Sequence, residues 1–263
     1  MTKLRTGTFN ILTQSEVPPF EWSRRRDDVV AILNKYDCGI VGLQEVKIGQ
    51  LQYISEHCGY EVLGEPRQDP RETDGGEYSC IMFKSNIFKV LDSGTFWLSE
   101  TPEVPGSKSW DTNLARVCTW AHFISMADKS ELHFFNTHLD HRGDVARHKG
   151  LELVLERMRP ALESGKPCVL TGDFNVRPED SALRVLDGVL GNTRQLSLSK
   201  PTGPFETFHC FKDRREVDPA RFAHIDYVFV SPGIKVNFYR VADDYIDGRL
   251  PSDHYPVIVD LEY

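Results

Sequence analysis

Residues 167–175 read Pro167-Cys168-Val169-Leu170-Thr171-Gly172-Asp173-Phe174-Asn175, and the rest of the chain is best read outward from them. Val169-Leu170 belongs to a short apolar run of the kind that forms a buried strand, and Gly172-Asp173 ends it. A carboxylate at such a strand end is cheap to solvate and can face a cleft. The pattern returns near the other end of the chain, where Ser252-Asp253-His254 precedes Val257-Ile258-Val259. Two carboxylates of this kind, brought together, make an acidic pocket suited to a hard divalent cation.

The 263 residues carry no Pro/Gly/Ser-rich linker, repeat or low-complexity tract. One domain spanning 1–263 is expected, since sandwich folds reach about 200–250 residues as single domains. The apolar share is 40%, and no stretch approaches the roughly 18 apolar residues of a membrane span. Met1-Thr2-Lys3-Leu4-Arg5 runs directly into Thr8-Phe9-Asn10-Ile11-Leu12 with no apolar h-region, so no signal peptide is expected. The six cysteines show no CxxC or Cys/His zinc spacing. They read as reduced core thiols of a cytoplasmic protein, with a bridged secreted form as the alternative. The formal charge of −8, from 31 basic and 39 acidic residues, argues against a protein that holds nucleic acid by a broad basic face. It does not argue against a nuclease, because bound metal neutralises acidic groups. The run Arg24-Arg25-Arg26 reads as the solvated face of a helix.

Strands are expected at 4–11, 39–44, 78–84, 86–98, 116–126, 131–138, 167–171, 224–230, 234–241 and 256–262. Helices are expected at 22–36, 47–58, 143–159 and 179–187. Leu151, Val154, Leu155 and Met158 mark the apolar stripe of the third helix. This mixed order, with many antiparallel neighbours, predicts an α+β architecture of two packed sheets with helices outside.

Polar residues stand at the ends of these runs along the whole chain. Asn10 closes the first strand, Glu45 follows Leu43-Gln44, and His138 closes Phe134-Phe135-Asn136-Thr137-His138. Asp226 opens Ile225-Asp226-Tyr227, and Asp253-His254 precedes the last strand. Taken singly, each has a plainer reading as a turn residue, a first-turn acid or a satisfied interior histidine. As an ordered set they resemble the endonuclease/exonuclease/phosphatase superfamily, the metal-dependent group that includes deoxyribonuclease I, abasic-site endonucleases, deadenylases, sphingomyelinases and inositol phosphatases.

The resemblance implies a four-layer α/β sandwich and a phosphoester hydrolase, with two substrate classes open. The first is a phosphodiesterase or nuclease acting on nucleic acid, at a 3′ end or on a single strand. The second is an enzyme for a small phosphorylated metabolite, sugar or lipid headgroup. It also implies that Glu45 binds Mg²⁺ or Mn²⁺ with Asn10 beside it, and that Asp253 binds metal or orients a histidine. By the same resemblance Asp173 positions or deprotonates the attacking water, and Asn175 holds water and a phosphate oxygen. His254 contacts the scissile phosphate, His138 joins the catalytic set, Asp226 buttresses a histidine and Arg116 helps to bind phosphate. These types suit the reaction. Mg²⁺ needs only one or two protein carboxylates, a water needs an acceptor, and charge developing on phosphate needs donors.

Asp140 and His141 either line the cleft or cap the following helix, while His133, His148 and His224 read as structural. The segments 65–77, 99–113 and 199–221 are expected to rim the cleft. They carry Arg67, Arg71, Trp110, Phe205, Phe208, His209 and Phe211, which either stack bases or fold onto the sandwich edge. Asn136-Thr137-His138-Leu139 looks like the deadenylase and sphingomyelinase branches. No membrane span and no obligate protein partner are expected.

Overall fold

The short apolar runs pair into two six-stranded sheets in the computed structural model, which describes residues 1–69, 71, 76–212 and 222–263. Parts of the rim segments 65–77 and 199–221 lie outside the described residues. The first sheet contains β1 (Lys3–Asn10), β2 (Ile40–Gln44), β3 (Glu61–Leu63), β4 (Ile81–Phe83), β11 (Lys235–Val241) and β12 (Val257–Glu262), in the order β11-β12-β1-β2-β4-β3. The second contains β5 (Phe88–Trp97), β6 (Val117–Ser125), β7 (Glu131–His138), β8 (Cys168–Asp173), β9 (Gly191–Asn192) and β10 (Asp226–Val230), in the order β5-β6-β7-β8-β10-β9.

Their inner faces bury one apolar cluster that includes Leu4, Ile40, Phe88, Phe123, Phe134, Val169, Val228 and Val257. The outer faces are covered by helices. Helices α1 (Trp22–Tyr36) and α2 (Ile48–Cys58) close a second cluster against the first sheet through Trp22, Val29, Ile32 and Ile54. Helix α3 (Asp144–Glu163) and a 3₁₀ turn at Ser181–Leu186 close a third cluster against the second sheet through Leu151, Val154, Met158, Ala182 and Leu186. The result is the expected four-layer sandwich of the deoxyribonuclease I type. Sequence patterning missed β3, β9 and α4 (Thr193–Leu196), each too short to show a period.

Local chemistry sets the element ends. At the start of α2, Gln50 Oε1 accepts from Lys47 N at 2.9 Å, and the helix stops at Gly59 with φ 66°. The first turn of α3 is capped from outside: Asp111 accepts from Ala146 N at 2.7 Å and Val145 N at 3.3 Å. Gly172 is required by the sheet, because a Cβ there would collide with Thr137 O of the parallel neighbour β7.

Strand direction then places the site. β1 runs parallel to β2, and β7 parallel to β8, so Asn10, Glu45, His138 and Asp173 all emerge at one rim. β10 and β12 run antiparallel to β8 and β1, which brings their starts, Asp226 and Asp253-His254, to that same rim. Beneath the rim a buried polar network ties the two sheets together. Gln44 Nε2 donates to Thr8 Oγ1 at 2.8 Å and to Asn136 Oδ1 at 2.7 Å, while Asn136 Nδ2 donates to Leu43 O and Cys80 O. Gly42 leaves the room this network occupies, since any Cβ there would overlap Asn136.

Candidate active site

At the rim is a cleft of about 330 Å³, lined by Glu45, His138, Asp173, Asn175, Asp253 and His254 on one side. Arg67, Glu77, Leu114, Arg116, His141, Phe208 and Ile225 complete the wall. The sequence-predicted residues therefore converge. Asn10 is fully buried at the base of the cleft, and Asp226 is fully buried behind His254.

Glu45 and Asn175 have left-handed backbones, with φ of 62° and 52°. For non-glycine residues this is an uncommon, strained conformation of the kind that clusters at working sites. Asn10 Nδ2 donates to Glu45 Oε1 and to Asp173 Oδ2, both at 3.0 Å, while its Oδ1 accepts from Leu12 N. That last bond sets the amide's orientation, so Asn10 spaces two carboxylates with one nitrogen. Glu45 Oε2 accepts from Thr13 N at 3.0 Å, and Asp173 Oδ1 accepts from Asn175 N at 2.9 Å. Ser252 Oγ donates to Asn10 O at 2.7 Å and so pins the Asp253-His254 turn to the end of β1.

His254 stands between two carboxylates. Its Nδ1 lies 2.8 Å from Asp226 Oδ2, and its Nε2 faces Asp173 Oδ2 at 3.8 Å. Burial opposes a charged imidazole, but Asp226, Asp173 and Asp253 outweigh it and hold the His254 pKa well above the usual range. Asp173 is pushed upward by burial and by the nearby Asp226 charge. His138 is driven the other way: burial and the Arg116 charge keep it neutral. Its Nε2 sits 3.0 Å from Asn175 Nδ2 and 3.5 Å from Asp173 Oδ2. Asp253 is raised by burial and by Glu45, which leaves two repelling oxygen-donor carboxylates in one cleft.

Arg116 is 4% exposed, and its Nε and Nη1 have no hydrogen-bond partner; Nε lies 3.6 Å from Asp140 Oδ2, and Nη2 is 3.1 Å from His141 Nδ1. Asp140 turns out to organise this wall. It accepts from Gly143 N at 2.8 Å, Arg142 N at 3.0 Å and Leu114 N at 3.1 Å, which holds its pKa well down even against burial. Arg67 Nη1 pairs with Glu77 Oε2 at 2.8 Å across the cleft wall.

One sequence expectation fails here. Arg25 does not belong to a solvated helix face; it is 4% exposed and points beneath the site. Its guanidinium donates to Ile11 O, Pro251 O, Phe20 O and Leu12 O at 2.8–3.2 Å. These carbonyls follow Asn10 and precede Asp253, so Arg25 joins the two turns that carry them. Adjacent Arg24 and Arg26 are exposed, and helical spacing separates the middle residue from them, since Arg25 falls on the face of Trp22, Val29 and Ile32. Phe208, expected at the rim, does line the cleft, whereas Glu77 went unassigned because its contact depends on tertiary placement.

The expected rim aromatics mostly turn elsewhere. Phe205 stacks on His224, Phe211 on Phe20, and Trp110 lines a separate depression against α3. Buried His209 packs on Tyr255 at 4.1 Å, and Arg71 pairs with Asp69. Cys210 is exposed, unlike the buried thiols at 38, 80, 118 and 168. Among the described residues no helix is long and apolar enough to cross a membrane.

Residues 7–254 match the Endonuclease/Exonuclease/phosphatase family. The structure is similar to an endonuclease/exonuclease/phosphatase from Bacteroides vulgatus, with a TM-score of 0.92 and 31% identity over 100% of this chain and 99% of that one. It is also similar to a mannosyl-6-phosphatase from Bacteroides thetaiotaomicron, with a TM-score of 0.90 and 32% identity over 99% and 100% of the two chains. Protein angel of Drosophila melanogaster is 24% identical over 257 residues, which is 89% of this chain and 70% of that protein. With its site residues gathered at one rim and its length matched throughout, the chain belongs to the endonuclease/exonuclease/phosphatase family, whose chemistry is phosphoester hydrolysis.

Proposed function

We propose that this protein is a divalent-metal-dependent phosphomonoesterase acting on a small phosphorylated sugar or polyol. The observation that carries the reading is Arg116, a buried guanidinium lining the cleft beside Arg67. The Arg116 Nε and Nη1 make no hydrogen bond, even though Nε faces Asp140 at 3.6 Å. Unpaired buried donors are costly, and a phosphate oxygen is the ligand that satisfies them. A terminal phosphate carries about −1.5 to −2 at neutral pH, against one charge for a diester. Arg116 and a protonated His254 supply positive charge for it, while Arg67 is paired with Glu77.

The expectation from sequence put nucleic acid first; several features favour the smaller substrate. Of the seven rim residues named for base stacking, Arg67 and Phe208 line the cleft. The net charge is −8, and the mannosyl-6-phosphatase is similar over the whole chain.

Glu45 and Asp253 are the donors that would hold Mg²⁺ or Mn²⁺, and their all-oxygen, mutually repelling character fits a hard cation. When bound, the ion polarises a phosphoryl oxygen and eases departure of the alkoxide. The trio Asp173, Asp226 and His254, with ligand atoms within 4.8 Å of one another, is better suited to an imidazolium, since His254 already bonds Asp226. Asp173, oriented by Asn10 and by Asn175 N, accepts the proton of the attacking water. His254 donates to a non-bridging oxygen, with Asp226 stabilising its charge, and Arg116 binds a second oxygen. Asn175 and neutral His138 complete the polar wall.

The test is phosphate release from a panel of sugar phosphates, beside labelled RNA and DNA oligonucleotides, each with Mg²⁺ or Mn²⁺. Release from a sugar phosphate with intact oligonucleotides is the expected result. Shortened oligonucleotides without phosphate release would overturn the proposal in favour of a nuclease.

A further inference from the structure

Among the described residues, His141 is the one histidine lining the cleft that the phosphate chemistry above does not use. It lies two positions beyond Leu139, in the turn between β7 and α3, and it is exposed at the mouth, whereas Arg116 beside it is buried. Arg116 Nη2 is 3.1 Å from His141 Nδ1. A guanidinium has no acceptor, so Nδ1 must accept and the ring proton must sit on Nε2. Burial and the neighbouring Arg116 lower the His141 pKa, consistent with a neutral ring.

The backbone around it is held firmly. Asp140 accepts Arg142 N and Gly143 N on one side and Leu114 N on the other, which ties the turn to the segment carrying Arg116. His141 is thus a preoriented donor, one residue outward from the phosphate-binding arginine. A phosphate held on Arg116 would lie beside this donor, which lines the same cleft.

We propose that His141 Nε2–H is a specificity-determining donor that recognises a hydroxyl or ring oxygen of the sugar moiety, selecting hydroxylated phosphate esters over plain aryl ones. The inference rests on the phosphomonoesterase reading and deepens it. A single neutral hydrogen bond of this kind is worth about tenfold in relative affinity.

The experiment compares kcat/KM for mannose 6-phosphate and p-nitrophenyl phosphate in wild type, His141→Ala and His141→Gln, with Mg²⁺ supplied. If mannose 6-phosphate is not turned over, the best sugar phosphate of the panel replaces it. The ratio of sugar to aryl turnover should fall about tenfold in His141→Ala, chiefly through KM. Glutamine, which offers an amide donor of similar reach, should restore part of it. A ratio within twofold of wild type in the alanine variant overturns the role of His141 while leaving the phosphatase reading intact, whether both activities fall together or neither moves. Failure of the wild-type protein to release phosphate from every sugar phosphate refutes the substrate reading itself, and this inference with it.

Discussion

Replacing Arg25 by methionine keeps the length of the side chain and removes a charge that the structure buries under the turns carrying Asn10 and Asp253. Four bonds to main-chain carbonyls disappear, those of Phe20, Ile11, Pro251 and Leu12. At about 1.5 kcal/mol each for bonds to a charged donor, the gross loss is roughly 6 kcal/mol. Burial works against the guanidinium and lowers its pKa to about 10, from an ordinary 12.5. That difference offsets about 3 kcal/mol of the gain, at 1.36 kcal/mol per pKa unit. The net destabilisation is therefore about 3 kcal/mol, or roughly 6–12 °C in Tm for a chain of this size. Urea and thermal unfolding in EDTA measure this without any contribution from metal. Calorimetric titration with Mn²⁺ measures the second consequence, weaker binding as the Asn10 and Asp253 turns separate. Arg25→Lys should be intermediate, because an ammonium cannot reach four carbonyls arranged for a planar fork. A loss within 0.5 kcal/mol, the range of an ordinary surface substitution, would refute the reasoning and restore Arg25 to a solvated helix face.

In the pH profile of kcat/KM, Asp226→Asn should move the alkaline limb to lower pH and cut turnover at pH 7 by about 10²-fold, the scale of losing one transition-state donor. The sign follows from His254, whose raised pKa keeps it protonated until pH climbs through that value, and removing Asp226 lowers it; superimposable profiles would exclude the pair. Acid should destabilise the protein through His209, whose pKa burial drives down to about 3. The unfolded chain takes up this proton below about 6.5 and the folded one does not, so stability falls by about 2 kcal/mol between pH 7 and pH 5. His209→Phe should flatten that part of the stability curve, and an unchanged slope would count against it. Glu45→Gln should weaken Mn²⁺ binding at least tenfold by calorimetry. Asp173→Asn should leave that binding within a few-fold while turnover drops by orders of magnitude, and the reverse pattern would exchange their roles.

Much of the fold was legible along the chain because strand runs and helical stripes are set by near neighbours. Val169-Leu170 and Val257-Ile258-Val259 lie in β8 and β12, and the apolar stripe of α3 faces the second sheet. The strand-end residues were legible for a related reason. Leaving the core at a strand's end is a local event, and Gly172 advertises the close approach of Thr137 O that makes Asp173 emerge there. What local pattern could not show was company. Arg25 shares the helix face of Trp22, Val29 and Ile32, but the carbonyls that satisfy its buried charge include one as distant as Pro251. Arg67 and Glu77 meet through a main-chain bond from Arg67 N to Glu77 O as well as through their side chains, a pairing that no local pattern announces. Asp140 and His141 divide their roles once Leu114 and Arg116 arrive beside them.

The residue types and their order along the chain were enough to carry the resemblance to a family of phosphoester hydrolases, and that chemistry makes carboxylates, amides and imidazoles at strand ends intelligible. Charge states, partners and the width of the cleft came from the packing of two sheets. The pairing of His254 with Asp226, the neutral His138, the unsatisfied donors of Arg116 and the bond from Asn10 to Asp173, across 163 positions, arise from burial and from distances in space. Coulomb energies and desolvation depend on separation in space. Spacing along the chain carries no record of that separation until the strands are in register.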